Sequence, residues 1–192
     1  MQQHPPNQDQ EYIYTYISSL PPPKLTNLLP DKDTWINNER LRWATLFSIP
    51  MATSLPPAFP APTLPVGRAL AVLQPSQQKL AQALDALFKA HWADGKAIHE
   101  GEVLRGVLEG ALGREETGRV LAEMGTSGKQ RLIENTDRAF NEGAFGLPWI
   151  VCTDREGKTE GFWGVDHMGQ VVEFLGLDRS KGFGKAGWRA VL

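Results

Sequence analysis

The run Gly143-Ala-Phe-Gly-Leu-Pro-Trp-Ile-Val-Cys-Thr-Asp-Arg-Glu-Gly-Lys-Thr-Glu-Gly-Phe-Trp-Gly-Val-Asp-His167 reads as a hairpin feeding a helix. Trp149 to Thr153 is a short apolar, β-branched stretch, which is strand composition. Asp154-Arg-Glu-Gly-Lys158 is a turn in which Gly157 can take positive φ. Thr159 to Trp163 returns as a second strand. Beyond it, Asp166 stands where an N-cap belongs, and Met168, Val171, Val172 and Leu175 follow at inward helical spacing. Pro148 sits directly before the first strand, where a proline withholds no ladder donor that a central position would need.

Upstream the period is different. From Leu64 to about Phe145 apolar residues recur every three or four positions. Val66 to Leu73 makes one helix. Ser76 caps a second whose stripe is Leu80, Ala83, Leu84, Leu87, Phe88 and His91. Val103, Leu104, Val107, Leu108, Ala111 and Leu112 make a third stripe, and Val120, Leu121 and Met124 a fourth. Leu132, Thr136 and Phe140 share one face of the last. Gly95, Gly113, Gly125 and Gly143 fall where helices should stop. Before this block, residues 50–65 carry six prolines and read as a surface traverse. A helix starting at an Asp33 cap spans 33–48, and Glu11 to Ile17 is dense enough in aromatic and β-branched residues for a strand. The order predicts an α/β fold: a small thioredoxin-like layer carrying an inserted all-helical domain. The expected divisions are a disordered 1–10, a partial layer and connecting segment over 11–63, the helical insertion over 64–142, the rest of the layer over 143–178, and a flexible Gly/Lys-rich tail over 179–192.

Composition narrows the function. In 192 residues, 20 Lys and Arg stand against 22 Asp and Glu, a net charge of −2, which argues against nucleic acid or an anionic membrane as partner. No stretch approaches the roughly 18–20 apolar residues of a membrane span. The first ten residues lack the basic and apolar regions of a secretory signal, so a cytoplasmic location is expected. The one cysteine, Cys152, excludes an intramolecular disulfide framework and clustered-thiol zinc sites. It reads as a small buried hydrophobe rather than a nucleophile. His4, His91, His99 and His167 are too scattered to imply a metal. Trp43, Trp92, Trp149 and Trp163 suit an apolar pocket or ordinary core packing equally.

Gly143-Ala-Phe-Gly-Leu-Pro148, the hairpin, and Phe162-Trp-Gly-Val-Asp-His167 together resemble one family: the kappa-class glutathione transferases and related 2-hydroxychromene-2-carboxylate isomerases, within the DsbA-like thioredoxin group. Asp31 to Trp43 and Phe47-Ser-Ile-Pro-Met51 are similar to the segment before that family's helical domain. The resemblance runs from about 27 to 177, and filamentous-fungal members are the most similar in character. It implies glutathione as cofactor and a small aromatic or electrophilic substrate. It implies a cis-proline at Leu147-Pro148 whose preceding backbone meets the ligand's cysteine part. Val165 and Asp166 take the place of a family Ser-Asp pair that holds the γ-glutamyl end, and His167 that of an arginine. Lys32 and Asn27 stand for a lysine and an asparagine that bind glutathione.

The family's first strand, Ser-Pro loop and helix, which carry the thiol-activating serine, have no counterpart in the sequence. No catalytic residue is therefore assigned. Two expectations stay open: a transferase or isomerase working through a glutathione adduct, or a non-catalytic thioredoxin-like binding module. A sheet lacking that first strand is also expected to leave an open edge and to favour a homodimer or poor solubility.

Overall fold

A computed structural model describes residues 30–178. The strand expected at 11–17, Asn27, residues 1–10 and the tail 179–192 lie outside the described residues. The chain divides into two compact units between Ile133 and Glu134.

The first unit is helical. Helix α1 spans Pro30–Phe47. It starts before the expected Asp33 cap because Pro30 occupies the first helical position, where a missing N–H costs nothing. The proline-rich traverse follows without helix or strand until α2, Leu64–Leu73. Helix α3, Gln77–Phe88, begins at Ser76, whose hydroxyl accepts from the Lys79 amide at 3.5 Å. It continues into a π-turn, Lys89–Ala93, closed by Asp94 N–H donating to Lys89 O at 3.0 Å. Helices α4 (Gly101–Leu112), α5 (Arg114–Glu123) and the first half of α6 (Ser127–Asn141), which runs across the division, complete the block. Gly113 joins α4 to α5 at φ +82°, a backbone that L side chains rarely adopt.

The core of this unit is the meeting of the predicted stripes. Val66, Ala69, Val72 and Leu73 of α2 pack with Ala83 and Leu87 of α3, Leu104 and Leu108 of α4, and Val120 of α5. Phe88 departs from its expected inward place and is exposed, since the π-turn that starts one residue later breaks the helical register. Phe140, in the part of α6 that belongs to the second unit, is exposed too. Helix α6 meets α2 at a glycine: a methyl on Gly128 would lie 2.5 Å from Arg68 O and 2.8 Å from Val72 Cγ2. Arg131 then donates to Val72 O at 3.1 Å.

The π-turn has a partner. Trp92 lies in the last turn before the helix ends at Ala93, so its carbonyl has no helical partner, and the Ala52 amide donates to it at 2.8 Å. Arg40 of α1 fastens the same stretch of the traverse, donating to Ala52 O at 2.9 Å and Thr53 O at 3.2 Å. Its guanidinium also lies 5.7 Å from the Trp92 ring centroid. Phe59, preceding a cis Pro60, packs on Trp92 at 5.8 Å. His91 is buried, with its ring edge-on to Trp92.

The second unit holds the hairpin. Strands β1 (Trp149–Thr153) and β2 (Thr159–Trp163) pair antiparallel, with Trp149 opposite Trp163 and Thr153 opposite Thr159. Asp154 builds the turn: its Oδ1 accepts from the Glu156 and Lys158 amides, both at 2.9 Å, and Gly157 has φ +85°. A 3-10 turn, Val165–His167, leads into α7, Met168–Phe174. Val171 and Val172 of α7 are buried, as is Cys152 on the inner face of β1, and Phe162 meets Phe174 edge-on at 5.5 Å.

Candidate functional site

The residues that matter converge at the open end of the hairpin. The Leu147–Pro148 peptide is cis, as expected. The pairing of β1 and β2 extends one step past Trp149 and Trp163: the Gly164 amide donates to Pro148 O at 3.0 Å. That bond places the cis-proline loop beside the turn bearing Val165 and Asp166. Four of the six expected binding residues, Leu147-Pro148 and Val165-Asp166, thus share one end of one hairpin, though the two pairs are seventeen positions apart in sequence. Leu147 and Val165 are both exposed.

Asp166 does not cap α7. The helix begins at Met168 behind His167, with no side-chain cap, because a 3-10 turn intervenes and carries Asp166 inside it. The carboxylate is instead half exposed and folds back over Gly164, where a methyl would lie 2.3 Å from Oδ1. Gly164, at φ +90°, is required for its backbone, and the carboxylate occupies the space above it. Oδ1 also stands 3.4 Å from His167 Nδ1, at ion-pair distance but not aligned as a hydrogen bond. His167 Nδ1 is buried and has no hydrogen-bond partner.

Three aromatic rings border the cis-proline loop. Phe145 packs 5.8 Å from Trp149 and 5.0 Å from Trp163. Two glycines make room for the indoles: a methyl on Gly161 would lie 2.3 Å from Trp149 Cζ2, and one on Gly146 2.5 Å from Trp163 Nε1. Phe145 and Trp163 remain exposed. Apolar and aromatic residues thus border the loop, and the turn beside it carries the Asp166 carboxylate, which suits a ligand having a cationic group and a partly apolar body.

Lys32 lies in the first unit, on the opening turn of α1, and the position of Asn27 is outside the described residues. Cys152 is buried in β1, on the face opposite Val151. At the other end of the hairpin Lys158 pairs with Glu160, which raises the lysine's pKa.

Two features escaped the sequence reading. His167 is read there as a replaced arginine and as one of four histidines too scattered for a metal, not as the ring that stands 3.4 Å from Asp166. Gly146 and Gly161 carried no periodic signal, since their function is to accommodate rings that the register brings across the strand pair.

Among the described residues no group of three or more His, Cys, Asp or Glu side chains could hold a metal ion, and no helix is long and apolar enough to cross a membrane. Residues 14–176 match the DSBA-like thioredoxin domain. Glutathione S-transferase kappa 2 of Caenorhabditis elegans is similar over 90 residues, at 33% identity. The aligned stretch is 46% of this chain and 40% of the nematode protein, so the chain spans well under two thirds of that relative.

Proposed function

The chain belongs to the DSBA-like thioredoxin domain family, and on that footing we propose that it binds glutathione in the manner of a kappa-class transferase. The ligand's cysteine part lies along Leu147 and Pro148, and its γ-glutamyl ammonium meets Asp166 beside Val165. Lys32 and Asn27 are carried as further glutathione-binding residues on the family resemblance alone. The observation that carries the reading is the Gly164–Pro148 backbone bond, which sets the cis-proline loop and the Asp166 turn side by side. Its similarity to a protein named as a kappa glutathione transferase supports the choice of ligand.

The reaction class is addition of the glutathione sulfur to a small electrophile. In a transfer, the thiolate forms a carbon–sulfur bond, the leaving group departs with its electron pair, and the thiol proton passes to solvent. In an isomerisation, the same bond forms transiently in an aromatic substrate and breaks again, returning glutathione. The working protein is cytoplasmic and homodimeric.

One observation favours a second reading, a binding module without turnover. Residues 143–149 and 163–168 contain no hydroxyl or thiol to stabilise a thiolate. Calorimetric titration of glutathione decides the shared part. Saturable binding at millimolar ligand is expected, weakened roughly tenfold or more in Asp166→Ala because a charge-assisted contact is lost. No binding, or equal binding by the variant, removes the proposed site. Conjugation of glutathione to an activated aryl halide then separates enzyme from module.

A further inference from the structure

We propose that the outer edge of β1 is the interface of the homodimer, formed when two copies of this strand pair antiparallel about Val151. The inference rests on the homodimeric reading given above and supplies its contact surface. The register shows which backbone groups are free. The Gly164 amide donates to Pro148 O at 3.0 Å and the Asp154 amide to Lys158 O at 2.9 Å, at the two ends of the ladder. In an antiparallel pair, residues that exchange bonds alternate with residues that do not. Ile150 and Cys152 therefore bond to β2, and Trp149, Val151 and Thr153 turn their N–H and C=O groups away from it. Among the described residues nothing else bonds to the backbone of these three.

Both strands have such an edge, and their residues decide between them. On β2 the outward residues are Thr159, Gly161 and Trp163. A central glycine weakens pairing, and Glu160, ion-paired with Lys158, sets charge beside it. Strand β1 reads Trp-Ile-Val-Cys-Thr, with no charge, proline or glycine, the residues that commonly guard an exposed edge. Such residues stand only at its ends, Pro148 before it and Asp154 after it, which confines pairing to the strand itself. Val151 and Thr153 are exposed.

A second β1 matches this edge because the register is self-complementary. With Val151 of one copy opposite Val151 of the other, Trp149 falls opposite Thr153 and Ile150 opposite Cys152. Every outward N–H and C=O of both strands then has a partner, and no like charges meet. A slide of two residues sets Thr153 against Leu147 of the cis-proline loop, or Trp149 against Arg155 of the hairpin turn, and leaves outward groups unmet. A slide of one sets the outer face against the inner. The matched register closes on a two-fold axis and gives a four-stranded sheet, ordered β2-β1-β1-β2. A two-stranded hairpin is marginal by itself, so the unit with the smaller core gains most from the added strands.

The test is amide hydrogen exchange of the full chain, read by NMR, beside sedimentation velocity over roughly a hundredfold range of chain concentration. In a lone hairpin, β2 protects the amides of Ile150 and Cys152 while those of Val151 and Thr153 exchange freely. In the proposed dimer Val151 and Thr153 are protected too, by about tenfold or more, and lose that protection on dilution as the dimer dissociates. Two variants act on the same position by different physics. Val151→Lys sets like charges opposite each other, and Val151→Pro removes a donor that β2 does not use. Each is expected to weaken dimerisation about tenfold or more, with Ile150 and Cys152 still protected as evidence that the hairpin persists. If either variant loses the hairpin, exchange in the wild type decides alone. A dimer whose Val151 and Thr153 amides stay fast, or one that survives both substitutions, overturns this interface and leaves the homodimer standing. A monomer at every concentration overturns both, and protection of the same amides in that monomer assigns the edge to another part of the same chain. Neither result bears on glutathione binding, which calorimetry reads separately.

Discussion

Gly128 is the residue with the least freedom in the helical unit. An added methyl would press on a backbone carbonyl, Arg68 O at 2.5 Å, and on Val72, which is 1% exposed and cannot turn aside. Gly128→Ala should therefore destabilise the unit by about 1–3 kcal/mol, the range for overpacking a close contact, despite alanine's higher helix propensity. Urea denaturation followed by far-UV circular dichroism would show it as a lower midpoint at unchanged slope. An unchanged midpoint would mean that α2 and α6 can separate at little cost. At this scale the candidate site was only partly legible. Leu147, Pro148, Val165 and Asp166 were reached through a family pattern, because cis geometry at a proline has no composition of its own. The cap role of Asp166 was misread: acidic residue before helical stripe is the usual cap pattern, and a 3-10 turn of three residues has no period by which to recognise it.

Among the elements, α5 is tied to its neighbours by charge. Glu116 accepts from Arg119 at 2.6 Å and pairs with Lys79 of α3 at 3.0 Å, while Arg119 reaches Glu123 at 3.0 Å. The hydrogen bond from Arg119, then that from Lys79, hold the Glu116 carboxyl down at about 2 from 4.5. A depressed folded value contributes stability that is complete above the unfolded value and disappears as pH falls through the folded one. The contribution of this group should thus be constant from neutral pH to about 5 and vanish between 4.5 and about 2. Because the network is at the surface, its size is at most about 1 kcal/mol and shrinks in salt. Comparing melting temperatures of wild type and Glu116→Gln from pH 7 to pH 2 checks it: the two should differ at pH 7 and converge in acid. Helices α2 to α5 were legible because their stripes must meet to bury Leu73, Leu104, Leu108 and Val120, so 3.6-residue spacing records the packing directly. The π-turn was not, since residues 89–93 continue the α3 pattern and it is the i→i+5 bond from Asp94 to Lys89 that distinguishes them.

The two compact units of the whole molecule differ in how much they bury. In the helical unit Leu104, Leu108 and Val120 are at most 1% exposed, whereas the buried apolar residues described in the hairpin unit are Cys152, Val171 and Val172. Hydrogen exchange should reflect this, with amides of Leu104, Leu108 and Val120 protected well beyond those of Val151 and Gly161. Leu108→Ala should cost about 2–5 kcal/mol and accelerate exchange throughout α2 to α5. If the hairpin amides proved the slower set, stability would have to lie in the second unit instead. The π-turn bears on the molecule in another currency, that of insertions and deletions. It is one residue more than an α-helical turn needs, and removing a residue within it would close an ordinary turn and rotate the helix end that carries the Trp92 carbonyl by about 100°. Ala52, some forty positions earlier, would then lose its acceptor and the proline-rich traverse one of its fastenings. A shortening at Lys89–Ala93 should therefore be tolerated only with a compensating change near Ala52, which ties two distant gap positions of an alignment into one evolutionary event.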